Sequence, residues 1–310
     1  MGQRKVPKDW QANRFMMLAD ELNKQEADMV VIGGDLLDVP NPSAEELELM
    51  FEFLAKLNKT TWIFSGNHEM VNKKTSVLSR FSAEITRCNP LCLVVGSVRG
   101  KAFDIISYEE LHTKWAEPQS KLCFTHVRGE LPEHMKTEPE VDMSKFDVYD
   151  KVVTGDLHDT KMSQTTKAGT PVVYPGSPLS TSFHREIPQE TNGYFIVDTE
   201  TLEHEWHDLS HLPHLIRKKV SSPDEMVEDP YNRVIYEVEG DIETLGQLKE
   251  SDLLDKKLNT KVSKEAKLDL ADLEIEEELD LYLKDVEGLD DKQRTRCITR
   301  FSNEVKNKAV

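Results

Sequence analysis

Four short segments of this 310-residue chain set glycine or threonine beside side chains able to hold a metal ion. They are Gly33-Gly34-Asp35-Leu36-Leu37-Asp38, Gly66-Asn67-His68-Glu69, Thr125-His126 and Gly155-Asp156-Leu157-His158. Asp, Asn and His without a thiolate suit a hard or borderline divalent ion, manganese foremost with magnesium or iron as alternatives, better than a structural zinc. The glycines let the backbone turn sharply and come close to a ligand. Such a set fits phosphodiester hydrolysis, in which anionic oxygens repel the nucleophile and the alkoxide leaves poorly. Two divalent ions about 3.5 to 4 Å apart answer both difficulties by generating hydroxide and clamping the developing charge. Asp35 is the candidate bridging carboxylate, and His68 is the candidate acid for the leaving oxygen. The plainer alternative is turn chemistry at strand ends, which Gly, Asp and Asn favour in any case.

These residues need elements that bring them to one place. Phe15, Leu18 and Leu22 have helical spacing from Gln11 to about Lys24, and Met29-Val30-Val31-Ile32 then reads as a short buried strand. Ser43 and Glu46 form a capping box ahead of Leu47, Met50, Leu54 and Leu57 on one helical face. Further strands are expected at 61–64, 122–124, 152–153, 171–174, 193–197 and 233–238. Helices alternating with strands indicate an α/β fold, and in an open α/β sheet the carboxyl ends of the strands share one rim. Groups distant in sequence can therefore converge there.

The formal net charge is −18 and the mean hydropathy is −0.54, which makes the chain a poor DNA binder by charge alone. No run approaches the roughly 18 apolar residues of a membrane span, and the first residues lack a leader's apolar stretch. A cytoplasmic protein with no membrane partner is expected. Cys88, Cys92, Cys123 and Cys297 form no paired metal-binding spacing and are expected to be reduced core or incidental residues.

Residues 269–290 hold ten acids and one base, and the final twenty residues hold six bases and two acids, which predicts two helices of opposite charge. Leu270, Leu273, Leu279, Leu281 and Leu283 give the acidic helix an apolar content suited to a partner groove or a plain solvated helix. Asp38 and Glu69 read equally as support for the metal site or as solvated turns. Arg128 is a possible phosphate contact or a surface arginine, and His184 a possible DNA contact or an exposed residue. His204, His207, His211 and His214 share no evident face and are expected to be exposed.

The order and spacing of GGDLLD, GNHE, the strand-end His126 and GDLH resemble the calcineurin-like metallophosphoesterases. Tyr174-Pro175-Gly176-Ser177-Pro178, Ser182-Phe183-His184-Arg185-Glu186 and Gly193-Tyr194-Phe195-Ile196-Val197-Asp198 resemble the SbcD-type nuclease subunits of double-strand-break repair complexes, phage versions included. The resemblance implies a four-layer αββα sandwich over residues 1–200, a small α/β cap over 201–262 and a helical arm over 263–310 that binds an SMC-like ATPase of the SbcC type. It implies a homodimer that cleaves DNA as exonuclease and endonuclease. Asp35 would bridge two ions, Asn67, His126 and Asp156 would hold one, His158 the other, and His68 would act on the leaving group.

Two departures bear on activity. Met1-Gly2-Gln3-Arg4 aligns with the residues that follow the family's Asp-x-His motif, so about ten preceding residues ending in that motif are expected. Without them, one ion should bind well and the other poorly. Asp156 stands where most relatives have His. A catalytically impaired platform subunit and a general phosphatase or phosphodiesterase are the alternatives.

Overall fold

The computed structural model describes residues 6–185, 191–240, 253–258, 275–285 and 287–308. Met1 to Arg4, Glu186, Leu270, Leu273 and the expected boundary between cap and arm at 262–263 lie outside the described residues. The chain divides into two compact units, Met1–Glu239 with Glu243–Lys257, and Gly240–Ile242 with Leu258–Val310.

Helix α1 spans Lys8–Lys24 and starts earlier than Gln11 because Pro7 supplies an extended entry at its N-cap. It buries Arg14, Leu18 and Ala19. Strand β1, Met29–Gly33, leads to helix α2, Ala44–Lys56, and then to strand β2, Thr60–Phe64. The capping box is complete, with Glu46 N donating to Ser43 Oγ at 3.2 Å and Ser43 N donating to Glu46 Oε2 at 2.6 Å. Ser43→Ala is expected to cost about 1 kcal/mol, a fall of about 2 to 4 °C in Tm by thermal denaturation.

β1, β2 and the strand Cys92–Val94 form a parallel sheet in which Met29 pairs with Thr60 and Thr61 with Cys92. A second sheet has six strands, with Pro171–Val173, Lys151–Gly155, Leu122–His126 and Asp104–Ile106 parallel at its centre. Short antiparallel strands, Gln164–Thr165 and Val98–Arg99, close its edges. Alternation along each strand divides its side chains between two cores. Val31, Trp62 and Phe64 of the first sheet meet Leu122, Phe124, Val153 and Val173 of the second. Ile32 and Ile63 instead face α1 and α2, while Cys123, Val152 and Val172 face the opposite outer layer. Burial on both faces explains the continuous apolar runs of these strands.

Helices and two packed sheets thus make three of the expected layers. The fourth is built from short turns of helix, Tyr108–Leu111, Met143–Val148 and Thr160–Met162, whose Leu111, Met143 and Phe146 cover the second sheet. Beyond the sandwich, Gly193–Val197 pairs antiparallel with His204–Asp208, and Leu215–Val220 pairs parallel with Arg233–Gly240 in a three-stranded sheet completed by Leu254–Leu258. The second unit contains the acidic helix Ile275–Asp285 and the basic helix Asp291–Lys308, tied by Arg294 Nε to Asp280 Oδ1 at 2.7 Å. No helix among the described residues is long and apolar enough to cross a membrane.

Candidate metal centre

Four strand ends, two from each main sheet, converge. After β1 the chain turns through Gly34 at φ 91° and Asp35 at φ 55°, the left-handed region that glycine and aspartate tolerate best. A Cβ at Gly34 would stand 2.5 Å from His126 Nδ1, so the close approach of loop and imidazole requires glycine there. Asp156, just past the strand Lys151–Gly155, is also left-handed at φ 85°. Two non-glycine residues in this conformation at one site indicate backbone held by its surroundings.

His126 is the hub of the cluster. It is 1% exposed, and its Nδ1 lies 2.8 Å from the Gly33 carbonyl. Donation to that carbonyl directs Nε2 toward Asn67 Oδ1 at 3.1 Å, Asp35 Oδ2 at 3.3 Å and Asp156 Oδ1 at 3.6 Å. Ligand atoms of Asp35, His126 and Asp156 all lie within 4.8 Å of one another. Burial opposes a charge on His126, yet Asp156, Asp35 and the Gly33 carbonyl raise its pKa to about 10. Asp35 is pushed up by burial but held below the usual carboxylate range by His126 and His68. Two carboxylates and an amide oxygen turned on one buried imidazole nitrogen form a strongly negative pocket. That oxygen-rich donor set with one imidazole fits a divalent cation of the manganese, iron or magnesium type.

Glu69 is fully buried, so of its two readings the solvated turn is excluded. Its Oε2 accepts from Asp35 N at 2.9 Å and Gly66 N at 2.8 Å, and its Oε1 accepts from Leu37 N at 2.9 Å. One carboxylate therefore ties the loop after β1 to the loop after β2. Burial raises its pKa against the opposing pull of the Leu37 and Gly66 amides. Glu69→Ala would strand three amides and is expected to cost about 3 to 5 kcal/mol, or about 6 to 20 °C in Tm. Thermal denaturation of the metal-free protein tests this, and a fall under about 2 °C would show that water replaces the carboxylate without loss.

The other sequence-predicted residues lie outside the cluster of Asp35, His126 and Asp156. His68 N donates to Asp35 Oδ1 at 3.1 Å, while its half-exposed ring places Nδ1 2.9 Å from the Asp38 carbonyl and 3.1 Å from Asp38 Oδ1. Partial burial works against its charge, but the Asp38 carbonyl and the carboxylates of Asp35 and Asp38 raise its pKa above the ordinary value. Asp38 thus orients His68. His158 is exposed, stays outside the Asp35, His126 and Asp156 cluster, and has Nδ1 3.2 Å from Thr181 Oγ1. Desolvation lowers its pKa although the charges of Asp35 and Asp156 raise it.

Arg128 is half-buried, and its Nε has no hydrogen-bond partner among the described residues. His184 forms a bridge to Ile216 on the three-stranded sheet, its Nε2 2.9 Å from Ser182 Oγ. Of the later histidines, His204 and His211 are exposed as expected. His214 is not: it is 3% exposed, with Nε2 2.8 Å from the Ser210 carbonyl.

Sequence reasoning missed several residues beside the centre. Tyr108 sets its ring edge against His126 at 6.2 Å and donates its hydroxyl to Glu140, which also lies 3.3 Å from His112. Tyr174 Oη donates to the Val127 carbonyl at 2.9 Å and accepts from Gly129 N at 3.0 Å, bracing the chain just after His126. Tyr108 and Glu140 lie in segments without periodicity, so no sequence signal marked them. Tyr174 lies in the Tyr-Pro-Gly-Ser-Pro box that carried the family resemblance, but nothing in the sequence assigned it a role of its own.

The family model of the calcineurin-like phosphoesterases matches residues 8–227. A probable exonuclease subunit 1 of Escherichia phage T5 is 47% identical over 314 residues, covering 99% of this chain and 96% of its own length. Among solved structures, an archaeal phosphodiesterase aligns at 15% identity over 64% of this chain and 92% of its own, with a TM-score of 0.38. A protein of Thermus thermophilus aligns at 13% identity over 65% of this chain and 94% of its own, with a TM-score of 0.42.

Proposed function

The chain belongs to the calcineurin-like phosphoesterase family, and we propose that it is a metal-dependent nuclease subunit that cleaves DNA ends as exonuclease and endonuclease. The observation that carries this is the convergence of Asp35, Asn67, His126 and Asp156 from strand ends of both sheets on one buried pocket. The 47% identity to a phage protein named as a probable exonuclease subunit supports DNA as substrate and a multi-subunit assembly.

Asn67, His126 and Asp156 would hold one divalent ion, Asp35 would bridge, and His158 would serve the second. Divalent ions in such a site lower the pKa of water and neutralise charge developing on phosphate. The chain's own residues supply the rest. With Nδ1 held by Asp38, His68 presents Nε2 outward and carries a proton there for the leaving oxygen. Glu69 fixes the two loops that carry Asp35 and Asn67. Arg128, half-buried two residues past His126, is a candidate contact for a phosphate oxygen.

Manganese-dependent release of nucleotides from linear and hairpin DNA, with and without an SMC-like ATPase partner of the SbcC type, tests the proposal. Cleavage lost on chelation and restored by manganese is the expected result. Hydrolysis of a small phosphomonoester with DNA left intact would favour a general phosphatase.

For the partner, the reading assigns residues 201–262 to a cap and 263–310 to the ATPase-binding arm of a homodimeric, cytoplasmic complex. Deleting 263–310 is expected to leave the phosphoesterase unit folded and to abolish co-purification with the ATPase. Capture of the ATPase by the shortened chain at undiminished affinity would overturn the assignment.

A further inference from the structure

Arg14 is the one buried cation that the proposed chemistry leaves unexplained among the described residues. It is 2% exposed, in the middle of α1. Its Nη1 donates to the Ser180 carbonyl at 3.1 Å and to Ser180 Oγ at 3.3 Å, while its Nε has no partner among the described residues. Burial pushes its pKa down to about 10. The rings of Trp10 and Phe15 flank it at 5.1 and 5.9 Å. A buried guanidinium facing a carbonyl, a hydroxyl and two ring faces is costly as a means of stability, because no carboxylate offsets its desolvation among the hydrogen bonds and ring contacts it makes.

What it holds is the segment that reaches the metal centre. Ser180 is itself 4% exposed, and its Oγ also accepts from Leu215 N at 3.1 Å, joining this segment to the three-stranded sheet. Trp10 Nε1 donates to the Tyr231 carbonyl at 3.0 Å, so α1 braces the same junction twice. The next residue, Thr181, places Oγ1 3.2 Å from His158 Nδ1. With Nδ1–H donating to that hydroxyl, the lone pair of His158 sits on Nε2, the tautomer an ion ligand needs.

We infer that Arg14 is a positioning residue for His158: it clamps Ser180, and the clamped segment presents Thr181 to fix the ring orientation and tautomer of His158. This rests on the reading of His158 as an ion ligand. The clamp acts at a distance from the chemistry and touches neither substrate nor ion.

The test uses the whole 310-residue chain free of metal, with the ring nitrogens of His158 read by NMR. The parent protein should show the Nδ1–H tautomer in excess by about tenfold or more, as one hydrogen bond biases it. Arg14→Met, expected to fold because it removes a buried charge with no carboxylate partner, and Thr181→Val should each move the ratio toward that of an unconstrained imidazole, in which Nε2–H prevails. In manganese titrations both variants should weaken the second ion about 10- to 100-fold and leave the first unchanged. The double variant should lose no more than either single one, because the two residues act in series.

A parent tautomer mixture, or an unchanged His158 signal in Arg14→Met, overturns the inference. Ser180→Ala, which removes the hydroxyl shared by Arg14 and Leu215, takes its place if Arg14→Met does not fold, with the same two readings. Should His158→Ala leave both manganese affinities untouched while the tautomer shifts occur, the ligand role of His158 fails and the clamp stands. Loss of an ion in His158→Ala with no tautomer shift in the clamp variants gives the reverse.

Discussion

Asp35→Asn should lower manganese-dependent DNA cleavage by about a thousandfold or more while leaving the metal-free protein as stable as the parent. The activity loss follows from removing the negative charge of the proposed bridging ligand, since several kcal/mol of charge stabilisation convert at about 1.36 kcal/mol per tenfold. The retained stability follows from geometry. Asparagine accepts the left-handed backbone at φ 55°, keeps an oxygen for His68 N, and leaves the donation of its own N–H to Glu69 intact. It also reduces the crowding of two carboxylates around His126 Nε2.

The contrast appears in Tm measured with and without manganese. The parent should gain about 5 to 11 °C at a hundredfold excess of metal over Kd, and Asp35→Asn should gain little. A variant that still gains the full shift and cleaves at the parental rate would remove Asp35 from the metal site.

His68→Ala should reduce cleavage by about 10²- to 10⁴-fold with metal content nearly unchanged. Its ring is directed by Asp38 rather than into the Asp35, His126 and Asp156 cluster, so its loss removes proton transfer or phosphate contact without removing a ligand. Isothermal titration with manganese, run beside single-turnover cleavage, separates the two effects. Loss of either ion in His68→Ala would make His68 a ligand. Asp38→Asn should show a weaker form of the same defect, because the carbonyl of residue 38 still holds Nδ1 when the carboxylate is gone.

Residues that act through immediate neighbours were legible in the sequence. The capping box of α2 was readable because a side chain and an amide three positions apart satisfy each other. The strands carrying Asp35, Asn67, His126 and Asp156 were readable because strands buried on both faces are short unbroken apolar runs, each ended by polar residues. From those ends and their order the candidate metal-binding residues could be named before any coordinates.

The tertiary structure alone decided how those residues meet. The strands Cys92–Val94 and Asp104–Ile106 are three residues each, too short for periodicity to reveal, yet they complete the two sheets. Glu69 read equally as a solvated turn or as support, and became a buried tie only when two loops brought three amides to it. The Nε2 of His126 faces the carboxylates because the Gly33 carbonyl, 93 positions earlier, takes Nδ1. His214 is buried and His184 lies against a separate sheet for the same reason. Local spacing dictates which face a residue occupies, whereas burial and the pairing of polar groups depend on which distant segments pack against that face.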